Sequence, residues 1–140
     1  MNKYKNKKIV ANGIKFDSKA EYEYYKYLCD FYYGKNVDIK LQEVFELQPK
    51  FSKFDKNYRA INYKADFSIY DESGKLIIVI DVKGMVLPLA KLKKKLFEYK
   101  YDVPLRFVAK CPKKYESYGA DGWIDVEKLE KLRRDAKKSK

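Results

Sequence analysis

The 140-residue chain contains no histidine. That excludes a histidine-bearing metal nuclease finger, a Ser-His-Asp triad and a Cys-His pair. Acid–base or metal chemistry must then rest on carboxylates, lysine, tyrosine or water. Cysteine is scarce: Cys29 and Cys111 stand far apart, without metal-ligand spacing. Cys29 falls within an apolar helical pattern and reads as a core thiol rather than a ligand or half of a disulfide, which points to a reducing compartment. No Pro/Gly/Ser-rich linker and no internal repeat divides the chain. Long apolar runs are missing too. The longest aliphatic run, Leu76 to Ile80, is far short of the ~20 residues a bilayer requires, so no membrane association is expected. The opening MNKYKNKK is basic with no apolar stretch behind it, so no secretory signal is expected.

What is present is charge and a core. Hydrophobic residues make up 46% of the chain, enough for one compact domain. Lysine and arginine number 32 against 20 aspartates and glutamates, a formal net charge of +12. A surplus of that size favours an anionic partner, nucleic acid in the first instance. An AT-rich genome, which enriches Lys, Tyr, Asn and Ile, is the alternative source of the charge.

The pattern of elements predicts an α/β domain with one mixed sheet flanked by helices. Residues 1–12 read as a basic arm carrying Lys5, Lys7 and Lys8. A helix starts at Asp17 or Ser18 and runs to about Tyr33, stopped by Gly34, with Ala20, Tyr24, Tyr27, Leu28 and Phe31 on its inner face. Residues 44–54 read as a strand with an edge or bulge at Pro49. Residues 60–70 alternate as a second strand, with Asn62, Lys64, Asp66, Ser68 and Tyr70 on its wetter side. Leu76 to Lys83 is apolar on both faces until its end, which suits the centre of a sheet. Pro88 opens a helix whose inner stripe is expected to be Leu89, Leu92, Leu96 and Tyr99, with Lys91, Lys94 and Lys95 opposite. Short strands at residues 105–110 and 123–126 precede a charged helix or tail over residues 127–140.

A tight turn centred on Ser73-Gly74 would set Asp66 directly opposite Asp81, and Lys64 opposite Lys83. Two carboxylates that close repel unless neutralised, and their oxygens suit Mg²⁺ or Mn²⁺. Lys83 projects from the same strand face as Asp81 and can orient water or stabilise charge at phosphorus. The competing reading is an ordinary strand end whose charged residues leave the core for solvent. Glu21 also has two readings. It lies on the flank of the first helix's buried stripe, where a carboxylate could join the metal cluster. Equally, Ser18-Lys19-Ala20-Glu21 fits a capping box, in which Glu21 only secures the helix start.

These residues resemble the PD-(D/E)xK nuclease superfamily. The superfamily pattern is an acid on one strand and acid-x-Lys on the next. Here it reads Lys64-Ala65-Asp66-Phe67 and Asp81-Val82-Lys83-Gly84, with fourteen residues between the aspartates. Phe16-Asp17-Ser18-Lys19-Ala20-Glu21 matches the helix glutamate of many members. The nearest resemblance is to a small phage-borne group similar to Holliday junction resolvases, over roughly residues 8–110. Alanine stands in place of the motif's proline, and Asp81 is one methylene shorter than the commoner glutamate.

The resemblance implies a restriction-endonuclease-like core over residues 13–126 that hydrolyses phosphodiester bonds in DNA, branched DNA above all. It implies Glu21, Asp66, Asp81 and Lys83 as catalytic residues. Asp66, Asp81 and the Val82 carbonyl would be ligands for Mg²⁺, with Mn²⁺ able to substitute. Lys5, Lys7, Lys8, Lys91, Lys94 and Lys95 are expected on phosphates, in a homodimer located in the cytoplasm (that of the bacterial host, if phage-encoded). The alternatives are a DNA-binding accessory protein of phage replication or recombination that does not cut, and a nuclease for flaps, ends or forks.

Overall fold

The computed structural model describes residues 9–11 and 13–139. The chain divides into two compact units, Met1–Asn36 and Val37–Lys140. No helix among the described residues is long and apolar enough to cross a membrane.

In the first unit, β1 (Ile9–Ala11) pairs antiparallel with β2 (Ile14–Phe16). The end of the stretch expected to be a basic arm is therefore a strand, while Lys5, Lys7 and Lys8 lie outside the described residues. Helix α1 (Lys19–Phe31) begins at Ser18, whose Oγ accepts the Glu21 N–H at 3.0 Å. Gly34, with φ +76°, follows its end. Of the expected inner face Tyr24 and Leu28 are buried, joined by Glu21, whereas Phe31 is 51% exposed. Cys29 is also exposed, so the core-thiol reading is corrected. The reason is visible in the sequence: tyrosines at 22, 24, 25 and 27 surround the helix, so periodicity alone does not select one face. Phe16 resolves the choice locally, with its ring 5.4 Å from that of Tyr22 and 5.3 Å from that of Tyr25.

The second unit is mixed α/β. Its strands are β3 (Asp38–Leu41), β4 (Val44–Gln48), β5 (Phe51–Lys53), β6 (Lys56–Tyr58), β7 (Ile61–Lys64), β8 (Phe67–Tyr70), β9 (Leu76–Val82), β10 (Leu105–Lys110) and β11 (Trp123–Asp125). Helices α2 (Pro88–Tyr101) and α3 (Val126–Lys138) and a 3₁₀ helix (Lys113–Tyr118) complete it. Five strands form one sheet in the order β11-β10-β9-β8-β3, parallel only between β9 and β10. Strand β9 is central, as its doubly apolar sequence predicts.

Two expected strands break. Pro49 cannot donate to a ladder, and residues 44–54 divide there into β4 and β5. Residues 60–70 divide at Ala65-Asp66: β7 pairs with β4, whereas β8 joins the five-stranded sheet between β9 and β3. Strand β3 escapes sequence reading because Asp-Ile-Lys-Leu is too short to show a period.

Helix α2 presents two apolar lines, and the aromatic one is buried. Phe97 is fully buried, with its ring 5.1 Å from Phe45, 4.9 Å from Tyr101 and 6.1 Å from Tyr63. Of the expected stripe, Leu89, Leu92 and Tyr99 are exposed. Phe97 and Tyr101 instead complement the rings offered by β4 and β7, a larger burial than the leucines would give.

The β8–β9 turn differs from expectation in form but not in outcome. The Gly74 N–H donates to the Asp71 carbonyl at 3.0 Å, centring the turn on Glu72-Ser73, and Gly74 sits at φ +85°. The ladder then shifts between Tyr70↔Leu76 and Ile69↔Ile78, leaving Ile77 as an extra residue. The two offsets cancel, and Phe67 pairs with Ile80 as predicted.

Candidate active site

Phe67↔Ile80 is the last rung of the β8–β9 ladder. Asp66 stands one residue beyond it, next in register to Asp81. The Asp66 N–H donates to Asp81 Oδ1 at 2.7 Å, and the Val82 N–H donates to Asp66 Oδ2 at 2.9 Å. Each carboxylate is thus anchored by one oxygen to a backbone N–H: Asp81 to that of Asp66 itself, just before β8, and Asp66 to that of Val82 on β9. Asp81 is 2% exposed. Burial pushes its carboxyl above the usual carboxylate range, opposed by the Asp66 N–H and the Lys83 ammonium. Lys83 Nζ lies 3.8 Å from Asp81 Oδ2 and 5.8 Å from the centre of the Phe107 ring. Its backbone is held by an N–H bond to the Val108 carbonyl at 2.8 Å, so β10 steadies the strand end that carries it.

Gln42 joins Asp66 from the β3–β4 connection. Its backbone N–H donates to the Asp66 carbonyl at 3.2 Å, and its Nε2 is 3.4 Å from Asp66 Oδ1. Gln42 has φ +56°, an uncommon conformation for a residue with a side chain. Glu43 fastens the same connection. Its carbonyl accepts the Ala65 N–H at 2.9 Å, and its carboxylate oxygens accept the Tyr70 hydroxyl at 2.7 and 2.8 Å. Burial and then Glu43 push the Tyr70 hydroxyl up to about 12.

A cleft of about 360 Å³ is walled by Lys64, Lys83 and Lys93 together with Met85, Leu87 and Leu89. Lys64 was expected opposite Lys83 in one ladder. It is paired with Val44 instead, because β7 leaves the β8–β9 sheet, yet both lysines line this cleft. Lys93 Nζ also donates to the Asn62 carbonyl at 3.0 Å.

One family model matches residues 1–117. The chain belongs to the family described as Protein of unknown function (DUF1064). The DUF1064 match spans Gln42, Asp66, Asp81, Lys83 and the cleft, and it ends before α3. No curated protein and no solved structure matches the chain.

The other expected site residues of this DUF1064 chain fall as follows. Glu21 belongs to the first unit and is 3% exposed; the Ser18 side of the expected cap is formed. Val82 contributes its N–H to Asp66. Lys91 pairs with Glu130 at 3.9 Å, and Lys94 pairs with Glu98 and Glu127, each at 3.4 Å. Lys95 makes no ion pair among the described residues. Gln42 and Glu43 were missed, because residues in a short polar connection carry no periodic signal.

Among the described residues there is no group of three or more acidic or cysteine side chains suited to a metal. The Asp66–Asp81 pair nevertheless fits Mg²⁺, which takes one or two carboxylates and completes its shell with water and substrate oxygens. The cost of burying the Asp81 carboxylate is what a divalent cation would relieve.

Proposed function

We propose that this chain is a Mg²⁺-dependent endodeoxyribonuclease of the PD-(D/E)xK type, with a restriction-endonuclease-like fold, acting on branched DNA as a homodimer. One observation carries the reading. Asp66 and Asp81 are cross-bonded at the end of the central strand, with Lys83 beside Asp81 at a cleft walled by three lysines. Asp66, Asp81 and the Val82 carbonyl would hold Mg²⁺, or Mn²⁺ in its place. Bound there, the ion would polarise a phosphoryl oxygen and lower the pKa of water.

The chain's own residues do the rest. Lys83 orients the attacking water in line with the scissile P–O bond and stabilises charge growing on the phosphoryl oxygens. Gln42 holds the orientation of Asp66. Lys64 and Lys93 meet the phosphates on either side of the cut. Glu21 is a fourth catalytic candidate, supported by the resemblance. Lys5, Lys7, Lys8 and Lys95 are proposed phosphate contacts. Lys91 and Lys94 contribute less, since Glu130, Glu98 and Glu127 already neutralise them.

The test is a panel of end-labelled substrates — four-way junction, plain duplex, flap and fork — with and without Mg²⁺. Cleavage is expected on the junction, only with the metal. Binding without product on every substrate, in Mg²⁺ and in Mn²⁺, would replace the nuclease with a non-cutting accessory protein. Product from flaps or forks alone would keep the chemistry and change the substrate.

A further inference from the structure

The ribbon formed by β4 and β7 is fixed at its base. Phe45 and Tyr63 are buried against Phe97, and Lys100 Nζ and Tyr101 Oη donate to the Glu46 carbonyl at 2.8 and 2.7 Å. Beyond Pro49 and Arg59 the same ribbon continues as the β5–β6 hairpin, and every residue from 48 to 59 is exposed. A lone two-stranded hairpin is marginal in water. This one is held across its strands by the stacked rings of Phe51 and Tyr58, 4.6 Å apart, and by the Ser52 hydroxyl donating to Asn57 Oδ1 at 2.6 Å.

Three features of the hairpin oppose its stability. Lys53 is paired directly with Lys56, and opposed like charges repel. Phe54 and Asp55 form the two-residue tip with φ +55° and +59°, a turn that favours Asn, Asp or Gly at its first position and disfavours a bulky ring. That ring is 85% exposed. Lys50, Lys53, Lys56 and Arg59 surround it with a single acid, Asp55, and none of the four cations makes an ion pair among the described residues. Strand alternation sets Phe51, Lys53, Lys56 and Tyr58 on one face. A polyanion with stacked apolar rings offsets the first and the last of these costs. Phosphates separate the opposed ammoniums, and bases receive the ring.

We propose that the β5–β6 hairpin is a DNA-binding arm that lies in a groove of the duplex, with its lysines on the phosphates and Phe54 wedged between base pairs. A two-stranded ribbon fits the major groove, and apolar side chains serve as wedges in proteins that kink DNA. The inference uses none of Asp66, Asp81 and Lys83 and holds whether or not the chain cuts.

The test uses the full chain in EDTA, with anisotropy on a fluorescein-labelled duplex and, in parallel, flotation with phosphatidylserine vesicles. Phe54→Asn should weaken duplex binding about tenfold or more, the scale of a lost base–ring stack. Its melting temperature should not fall, because Asn suits the left-handed tip. Changing Lys53 and Lys56 together to Ala should lower the slope of log affinity against log salt by about 1.8, near 0.9 per phosphate contact. Fluorescence of 2-aminopurine in the duplex should rise on binding the unaltered chain and not on binding Phe54→Asn. Duplex affinity, salt slope and 2-aminopurine response all unchanged in the variants would overturn the proposal. So would loss of vesicle binding with DNA binding intact, which would make the arm a membrane contact.

Discussion

Asp81 is a carboxylate with 2% exposure at the end of the central strand. Its pKa is raised by burial, so the native state holds the proton more tightly than the unfolded chain does. The sign follows: its unfavourable contribution is absent below the unfolded carboxylate pKa of about 3.9 and grows as pH rises through the folded value. Asp81→Asn keeps an oxygen for the Asp66 N–H and removes the buried charge. At pH 8 without divalent ions it should melt higher than the unaltered protein, and the gap should close in acid. Added Mg²⁺ should narrow the gap at pH 8 by stabilising only the protein that keeps the carboxylate. A variant less stable at pH 8 would contradict this. For Glu21, the paired measurement is melting and cleavage of Glu21→Gln. A catalytic role predicts a strong loss of activity with little change in melting. A cap alone predicts about 1 kcal/mol or less of stability and unchanged cleavage. Asp66, Asp81 and Lys83 were legible in the sequence because strand alternation and a hairpin register are regular. Gln42 was not, because its approach to Asp66 depends on β3 pairing with β8, a long-range contact.

At the level of elements, α2 anchors the ribbon that leads into Asp66. Phe97→Ala removes the ring that touches Phe45, Tyr63 and Tyr101 and should cost ~3–5 kcal/mol in a urea titration. A cost below ~1 kcal/mol would show that another contact holds the helix. The buried face of α1 is legible only in Tyr24 and Leu28, and that of α2 is not, for one reason. Both helices carry apolar or aromatic residues on more than one side, so the partner surface decides which side is buried. The β8–β9 register was read correctly although the turn was not, since the Ile77 bulge offsets the earlier turn. The basic hairpin at residues 51–58 is hidden in the sequence because Val44 to Phe54 reads as one strand. Pro49 marked the break, but the two-residue tip at Phe54-Asp55 carries no glycine to announce it.

For the molecule as a whole, the sequence predicts a mixed α/β chain with β9 central, and the second unit has that architecture. The net charge of +12 does not lie where the helix pattern suggests, because α3 turns Glu127 and Glu130 toward Lys94 and Lys91. Changing Lys91, Lys94 and Lys95 together to Ala should therefore alter the salt slope of DNA binding by about 1 or less. A drop of several units would return α2 to the DNA interface. Resolving a junction needs two symmetric cuts, so light scattering should show a twofold dimer, free or on a junction. Monomer in both states would leave a single-nicking enzyme.

The most direct measurement is cleavage of a labelled four-way junction in Mg²⁺ by the unaltered chain and by Asp81→Asn, with binding of the same junction followed in parallel. If Asp66, Asp81 and Lys83 form a metal-dependent phosphodiesterase site, the unaltered chain gives product and the variant binds comparably but yields none above background. Near-normal cleavage by Asp81→Asn would contradict the assignment.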